Sequence, residues 1–340
     1  MKKVFLDENE NAYKANLHCH STVSDGRLSP KEIKELYKSH GYSIIAYTDH
    51  DIMIPHDDLN DDGFLALHGY EMEFTGEIKK GDSHKTCHIC LIQRDPNNLK
   101  QVCWHREKYA TFGNAPKYQS QIEFDETEPD FERNHTPEVI NKAIKTGRDN
   151  GFFVTYNHPT WSLEDFSDYM NFHGMHAMEI CNFSCYLDGH EEYNARVYDD
   201  MLRGGERIFC IGADDNHNWQ PKPVTYGVPE YDSCGAFTVI FAKELTYSAI
   251  MDALFAGKFY ASQGPEIFSL WCDDEKIYIK CSPAKRIYLS TNGRRLQWRY
   301  SDKEPLCEAT FDIPKDNSYF RITVEDYDGK HANTNAYFLD

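Results

Sequence analysis

Long apolar runs, basic charge and a paired-cysteine framework are all missing from this chain of 340 residues. No run approaches the ~20 apolar residues that a membrane-spanning helix needs, so no membrane span is expected. Lys and Arg total 36 against 55 Asp and Glu, a formal charge of −19. That balance excludes a basic face for long nucleic acid or an anionic membrane. It leaves a nuclease open, because bound metal ions supply positive charge locally. The 11 cysteines are odd in number and scattered, unlike the dense even set of a small secreted domain, so reduced and mostly buried thiols are expected. Cys87-x-x-Cys90 has no second CxxC, and Cys181 and Cys185 have the wrong spacing for a zinc ribbon. The opening MKKVFLDENENAYKANLHCH carries two lysines but only a short apolar patch before acids begin, which does not make a secretory leader. A cytoplasmic protein is the expectation. Internal repeats and low-complexity tracts are also lacking.

What is present is a core: 40% of residues are apolar and 14% aromatic, which rules out wholesale disorder. Short apolar runs at 15–18, 43–47, 64–67, 87–92, 152–156, 177–181, 207–211 and 236–241 read as strands. Helical patterns lie between them with legible ends. Ser29-Pro30-Lys31-Glu32 supplies an N-cap, a Pro at the first position and a Glu three residues on. Thr136-Pro137-Glu138 opens a second helix. The pattern at 191–203 closes at Gly204-Gly205, and that at 246–255 closes at Gly257. This βαβα order predicts an α/β domain over 1–264, a parallel sheet or barrel that collects ligands at the strand C-terminal ends. The polar stretch at about 93–135 has little periodicity and reads as an insertion, a lid over the site. From 265 to 340 short alternating segments parted by Ser-Pro, Asn-Gly and Asp-Gly turns predict a small all-β sandwich of immunoglobulin-like size.

The sharpest chemical signal is His18-Cys19-His20 at the end of the first strand. On a strand the two imidazoles share a face. They repel when protonated, whereas a divalent cation binds both neutral rings. Ser24-Asp25-Gly26 follows in the next loop, and Thr48-Asp49-His50-Asp51 ends the second strand. Gly69-Tyr70-Glu71 ends the third, His88 lies in the fourth, Asn157-His158-Pro159 ends the fifth, and Asp214-Asp215-Asn216-His217 ends the seventh. Imidazole or carboxylate is thus delivered to one face by strand after strand, which predicts a multinuclear metal site.

The ordered motifs HxH…SDG, TDHD, GxE, H, NHP and DxH resemble the PHP domain, named for polymerase and histidinol phosphatase, over residues 15 to 264. The resemblance implies a distorted (β/α)7 barrel with two or three divalent ions (Zn, Mn or Fe). By motif, His18, His20, Glu71 and Asp215 are implied as ligands of one ion. Glu71 with His88 and His158 is implied for the second, and Asp25, His50 and His217 for the third. Several members have His where this chain has Asp25, a carboxylate that favours Mn or Fe(II). Glu73 rivals Glu71 and Asp214 rivals Asp215; the place after Gly-Tyr and the spacing to His217 favour the second of each pair. The C-terminal stretch with Ser262-Gln263-Gly264-Pro265 is similar to the subgroup that carries a terminal β-domain, the carbaryl-hydrolase-like metallohydrolases.

The resemblance implies a metal-dependent phosphoesterase acting on a small phosphate ester, nucleotides included, with a metal-bridging hydroxide as nucleophile. The alternatives are an ester, carbamate or amide hydrolase on the same cluster, and a non-catalytic metal-binding scaffold. No Ser or Cys has an activating context. Asp49 and Asp51 flank His50 and are placed to take its second ring N–H or to move protons. Candidate substrate contacts are Arg27, Lys85, Arg106, Lys222 and Asn182, with Trp161 and Trp219 near the mouth. Residues 265–340 hold 11 basic and 13 acidic side chains, so a charge of −17 belongs to 1–264. Metal ions there would draw a small anion to an otherwise acidic molecule.

Overall fold

A computed structural model describes residues 2–219 and 231–339. Lys222 lies outside the described residues. Among the described residues twenty strands and six α-helices follow one another. The strands are β1 (Lys3–Leu6), β2 (Asn11–Asn16), β3 (Ile44–Tyr47), β4 (Leu65–Thr75), β5 (Thr86–Gln93), β6 (Lys100–Gln101), β7 (Glu123–Phe124), β8 (Phe152–Tyr156), β9 (Ala177–Asn182), β10 (Phe209–Ala213), β11 (Phe237–Ala242) and β12 (Phe259–Ser262). Beyond them come β13 (Ile267–Cys272), β14 (Lys276–Ala284), β15 (Arg286–Thr291), β16 (Gln297–Tyr300), β17 (Leu306–Asp312), β18 (Tyr319–Glu325), β19 (His331–Thr334) and β20 (Tyr337–Phe338). The helices are α1 (Pro30–Ser39), α2 (Pro137–Asp149), α3 (Phe166–Tyr169), α4 (Phe183–Leu187), α5 (Ala195–Arg203) and α6 (Tyr247–Phe255).

The fold is mixed α/β. A 14-stranded sheet runs β10-β9-β8-β5-β4-β3-β2-β11-β12-β19-β18-β15-β16, with β20 beside β18. Its strands are not all parallel, contrary to the expectation from βαβα order. β2-β3-β4 and β8-β9-β10 are parallel, but β5 is antiparallel to both β4 and β8, and β11 to both β2 and β12. For β4 and β5 the reason is connection length: the turn at 76–85 is shorter than the crossover of about a dozen residues or more that parallel neighbours need. Helix α1 forms where its ends dictate. Ser29 accepts from the Glu32 backbone N–H, Glu32 reaches back to Ser29, and Pro30 opens the helix, so Ile33 and Tyr37 face the core.

The segment β13-β14-β17 forms a second, 4-stranded sheet that is completed by β1 from the other end of the chain. Leu6, Ile277, Ile279 and Phe311 from this layer share one buried cluster with Ile287, Leu289, Ile322 and Val324 of the large sheet. The pairing of β1 with β13 was not legible in the sequence because its partner lies at the opposite end of the chain. Nine of the eleven cysteines are buried, and no disulfide forms among the described residues. No described helix is long and apolar enough to cross a membrane.

A buried cation ties the terminal strands to the helical layer. Arg321 on β18 is 3% exposed and donates to Asp199 of α5 at 2.8 Å. It also donates to Thr323 Oγ1 at 3.0 Å. Arg321→Met should cost about 2–3 kcal/mol, less than the ~3–5 kcal/mol for a fully buried pair, because Asp199 keeps water and Arg203 nearby. Urea unfolding measures this. A loss below ~1 kcal/mol would mean that α5 docks without the pair.

Candidate metal centre

The site is built from chain segments just past the strands, except where a strand itself carries the ligand. β2 ends at Asn16, so His18 and His20 lie beyond it in extended chain rather than on the strand. Cys19 bridges to Asn216, the Asp215 N–H donates to the His18 carbonyl at 3.0 Å, and the His20 N–H donates to the Asn216 carbonyl at 3.1 Å. These bonds keep the two rings on one side and set Asp215 against them. Glu71 is not at a strand end either: β4 continues to Thr75, so Glu71 sits mid-strand, paired with Cys90 of β5 and bridged to His50 on its other edge. His88 faces it from β5, where its neighbour in register is Glu73. Asp51, His158 and Asp215 have positive φ (61°, 25° and 54°), a backbone region that non-glycine residues rarely occupy and that concentrates at functional sites.

The predicted ligands converge. His18 Nε2 lies 3.1 Å from His20 Nε2, 3.1 Å from Glu71 Oε1 and 3.2 Å from Asp215 Oδ1. His20 Nε2 lies 3.3 Å from Glu71 Oε2 and 3.1 Å from Asp215 Oδ1. Four donors around a tetrahedral ion with bonds of ~2.0–2.1 Å stand about 3.3 Å apart, so this quartet fits a divalent cation. A second group is Glu71 Oε1 with His88 Nδ1 at 3.0 Å and His158 Nε2 at 3.4 Å. The third is looser: Asp25 stands 3.8 Å from His20, 3.9 Å from His50 and 3.6 Å from His217. Cys90, read in the sequence only as part of a CxxC, joins His18 and Glu71 within 4.8 Å.

Burial strengthens the case. His20 Nδ1, Glu71 Oε2 and His88 Nε2 are buried without a hydrogen-bond partner, which is costly unless something else satisfies them. A cation between the ligands fits Glu71 Oε2, whereas His20 Nδ1 and His88 Nε2 are the ring nitrogens opposite those facing the ligand groups. Burial works against charge on His18 and His20, yet Asp215 and Glu71 hold both rings well above the usual imidazole range. Burial likewise opposes charge on His158, but Glu71 and Asp215 outweigh it and raise the ring to about 9. His50 goes the other way, to about 3, because burial and the neighbouring His20 both disfavour its cation. Glu71 is held well below the carboxylate range against the cost of burial, chiefly by His18 and His88.

A pH prediction follows from His158. Its folded value lies above 6.5, so its contribution to stability is complete below that pH and is lost as pH rises through about 9. Metal-free protein should therefore melt higher at about pH 6 than at about pH 9. The gain in Tm on adding Mn2+ or Zn2+ should grow over the same interval, because a cation needs the neutral ring. Melting curves with and without metal check both signs, and a metal-induced gain that shrinks with rising pH would contradict the assignment.

Around the ligands stands a layer the sequence only partly disclosed. Glu179 of β9, fully buried, accepts from His18 Nδ1 at 2.7 Å and from the His158 backbone N–H at 2.9 Å. It was missed; the only signal is a lone acid inside an apolar strand. Asn182 is not at the substrate face: its amide donates to Glu179 at 3.0 Å and to Asp215 at 3.1 Å. Asp214 turns away from the ligands and accepts from the backbone N–H groups of Cys234, Gly235 and Ala236 and from Tyr37, which leaves Asp215 as the ligand candidate. Glu73 lines the pocket mouth, one side chain further out than Glu71.

Asp49 and Asp51 do not take the His50 ring N–H. Asp49 is consumed by Ser21 and Ser24, and Asp51 by Arg133 and the Ala110 N–H. Two of the basic candidates are tied up elsewhere. Lys85 pairs with Asp165 and Asp168, and Arg106 pairs with Asp130. Arg27 lies over the Trp219 ring at 3.5 Å, and Trp219 donates to the Asp25 carbonyl, so both stand at the mouth. Trp161 packs edge-on against His88 and His158. The resulting pocket has a volume of about 580 Å³, with Phe112, Trp161 and Trp219 on its rim.

No family model matches this chain, and no curated protein does. Among solved structures it is similar to a two-domain protein containing a predicted PHP-like metal-dependent phosphoesterase from Bacteroides vulgatus, at 17% identity and a TM-score of 0.45 over 98% of this chain and 96% of that one. It is similar to a protein from Bifidobacterium adolescentis described as a metal-dependent phosphoesterase, at 16% identity and a TM-score of 0.38 over 64% and 92%. It is also similar to an amidohydrolase from Chromobacterium violaceum with bound sulfate, at 15% identity and a TM-score of 0.36 over 62% and 89%. All three likenesses are distant, and the chemistry of the site is carried by its own side chains.

Proposed function

We propose that this chain is a metal-dependent hydrolase of PHP type that cleaves a small phosphate ester. One observation carries the reading: Asp25, His50, Glu71, His88, His158, Asp215 and His217 line one pocket, and the fully buried His18 and His20 join them in overlapping clusters of ligand-type side chains. Barrel closure of the first half is part of the proposal. It is supported by Thr238 of β11, whose hydroxyl accepts from the Gly212 N–H at 3.2 Å and donates to the Gly212 carbonyl at 3.0 Å, joining β11 to the far strand β10.

Divalent ions bound there would lower the pKa of water and polarise a phosphoryl oxygen. The chain's own contribution is placement. Glu179 fixes the His18 ring through Nδ1, and Ser162 Oγ stands 3.2 Å from His158 Nδ1, so both rings present Nε2 to the centre. Asn157 donates to Glu71 at 3.2 Å and Asn182 to Asp215, which orients both carboxylates. The aromatic rim limits water around the reacting group. Among the described residues lining the pocket there is no Lys or Arg, while Asp25, Glu73, Asp188 and Asp232 are acidic. Positive charge for an anion would then come from the ions, with Arg27 beside Trp219 at the mouth.

That same acidic rim favours a second reading, hydrolysis of an uncharged ester, carbamate or amide. Assays with bis(p-nitrophenyl) phosphate, nucleotides and p-nitrophenyl acetate, on protein reloaded with Mn2+, Fe2+ or Zn2+, separate the two. Phosphoester turnover abolished by chelation supports the first, aryl-acetate turnover alone supports the second, and no turnover with any metal would remove both.

A further inference from the structure

Residues 93–135 contribute Phe112 to the pocket lining. We propose that this segment positions the third metal site, acting through Arg133, so that occupancy of the Asp25–His50–His217 position depends on Arg133 while the two Glu71 groups do not. The inference rests on the metal-centre reading above.

The third group is the looser one. Its members stand 3.6–3.9 Å from Asp25, and the Asp25 side chain is 24% exposed. Asp25 and His50 sit on loops rather than strands; His50 is tied to the sheet by a bridge to Glu71, where the Asp51 N–H donates to the Glu71 carbonyl at 2.8 Å, and the inserted segment adds further restraints on Asp51. The inserted segment takes every acceptor that Asp51, the neighbour of His50, offers. Arg133 Nη1 pairs with Oδ1, the Ala110 N–H donates to Oδ2 at 3.3 Å, and Gln101 Nε2 donates to the main-chain carbonyl at 2.7 Å. Asp51 has φ 61°, a conformation that needs such restraint. Arg133 is itself 2% exposed, donates to the Cys103 carbonyl at 3.2 Å and lies 3.8 Å from the centre of the Tyr109 ring.

The Asp25 loop is held by the same segment. The Asn114 N–H donates to the Ser24 carbonyl at 2.6 Å, and its side chain donates to the Thr22 carbonyl at 3.1 Å. Gly113 makes this approach possible: a Cβ there would stand 2.1 Å from the Ser24 carbonyl oxygen. Phe112 then stacks on the His50 ring, 4.5 Å between centroids. The segment also meets Tyr70, next to Glu71, through Val102, but β4 is already fixed in register by β3 and β5. His20, whose Nε2 belongs to the first group, has its Nδ1 3.8 Å from Asp25, so the Asp25 loop also borders that group.

The test is metal stoichiometry by elemental analysis after equilibrium dialysis against Mn2+, with circular dichroism as the folding control. Wild-type protein should bind three ions per chain. Arg133→Met should bind two, and Arg133→Lys should recover part of the third. Phe112→Ala, which leaves the buried pair intact, should weaken the third ion at least tenfold if Arg133→Met does not fold. His88→Ala should lose a different ion and keep the one at Asp25. Three ions in folded Arg133→Met and Phe112→Ala, or loss of all three in either, would overturn the proposal. Fewer than three in the wild type would instead overturn the trinuclear reading on which it rests.

Discussion

Glu71→Gln should reduce kcat/KM by at least about a thousandfold and strip metal from the protein while leaving it folded. One carboxylate serves all the inner ligands. Oε1 lies 3.1 Å from His18, 3.0 Å from His88 and 3.4 Å from His158, while Oε2 lies 3.3 Å from His20 and 3.1 Å from His50. An amide removes the negative charge that offsets two cations, and it turns an NH2 group towards nitrogen ligands on one side. Both effects act on the ions before any substrate arrives. The fold should survive, because Glu71 sits within a strand paired on both sides and glutamine fills the same volume. Glu73→Gln is the matched control, two residues along the same strand at the pocket mouth, and should change activity by less than about tenfold. Metal content and kcat/KM measured on both variants decide the matter. Equal losses from the two would mean that the ion bridge has been placed on the wrong acid.

The largest effect on stability is expected at Asp49. Its carboxylate, 2% exposed, accepts from Ser21 N–H at 2.8 Å, Ser21 Oγ at 2.9 Å, Ser24 N–H at 3.0 Å and Ser24 Oγ at 2.7 Å. Asp49→Ala removes the acceptor of the Ser21 N–H and hydroxyl and leaves Ser24 with only the Ser21 carbonyl at 3.2 Å and Asp25 at 3.1 Å. An orphaned buried donor costs ~1–3 kcal/mol, so a loss of about 3–5 kcal/mol is expected once the hydroxyls reorient and water enters. For a chain of this size that lowers Tm by roughly 5–10 °C. Asp49→Asn keeps one acceptor oxygen and should lose about half as much. Thermal unfolding of both variants gives the comparison. A shift under about 2 °C for Asp49→Ala would show that the loop is held by something else.

These two acids mark where sequence reasoning reached its limit. In the sequence Asp49 and Asp51 look alike, two acids flanking a candidate ligand histidine, and a role beside the imidazole suits both. Only tertiary structure turns one towards Ser21 and Ser24 and the other towards Arg133, 82 residues away. Asp214 and Asp215 pose the same problem. They are adjacent and chemically identical, yet one faces His18 and His20 while the other caps the chain at 234–236.

What the sequence determined by itself was local: helix ends such as Ser29 and Glu32, the apolar runs that become strands, and the imidazole and carboxylate side chains that follow them as candidate ligands. Spacing of a few residues carries that information, because a strand or its extended continuation sends alternate side chains one way. The tertiary structure decided everything that depends on partners far apart in the chain. That includes β1 beside β13, the antiparallel placement of β5, Glu179 behind His18, and the grip of Arg133 on Asp51. None of these has a local signature. Each follows from where burying apolar surface brings distant segments together, and from the need of every polar group buried there to find a partner.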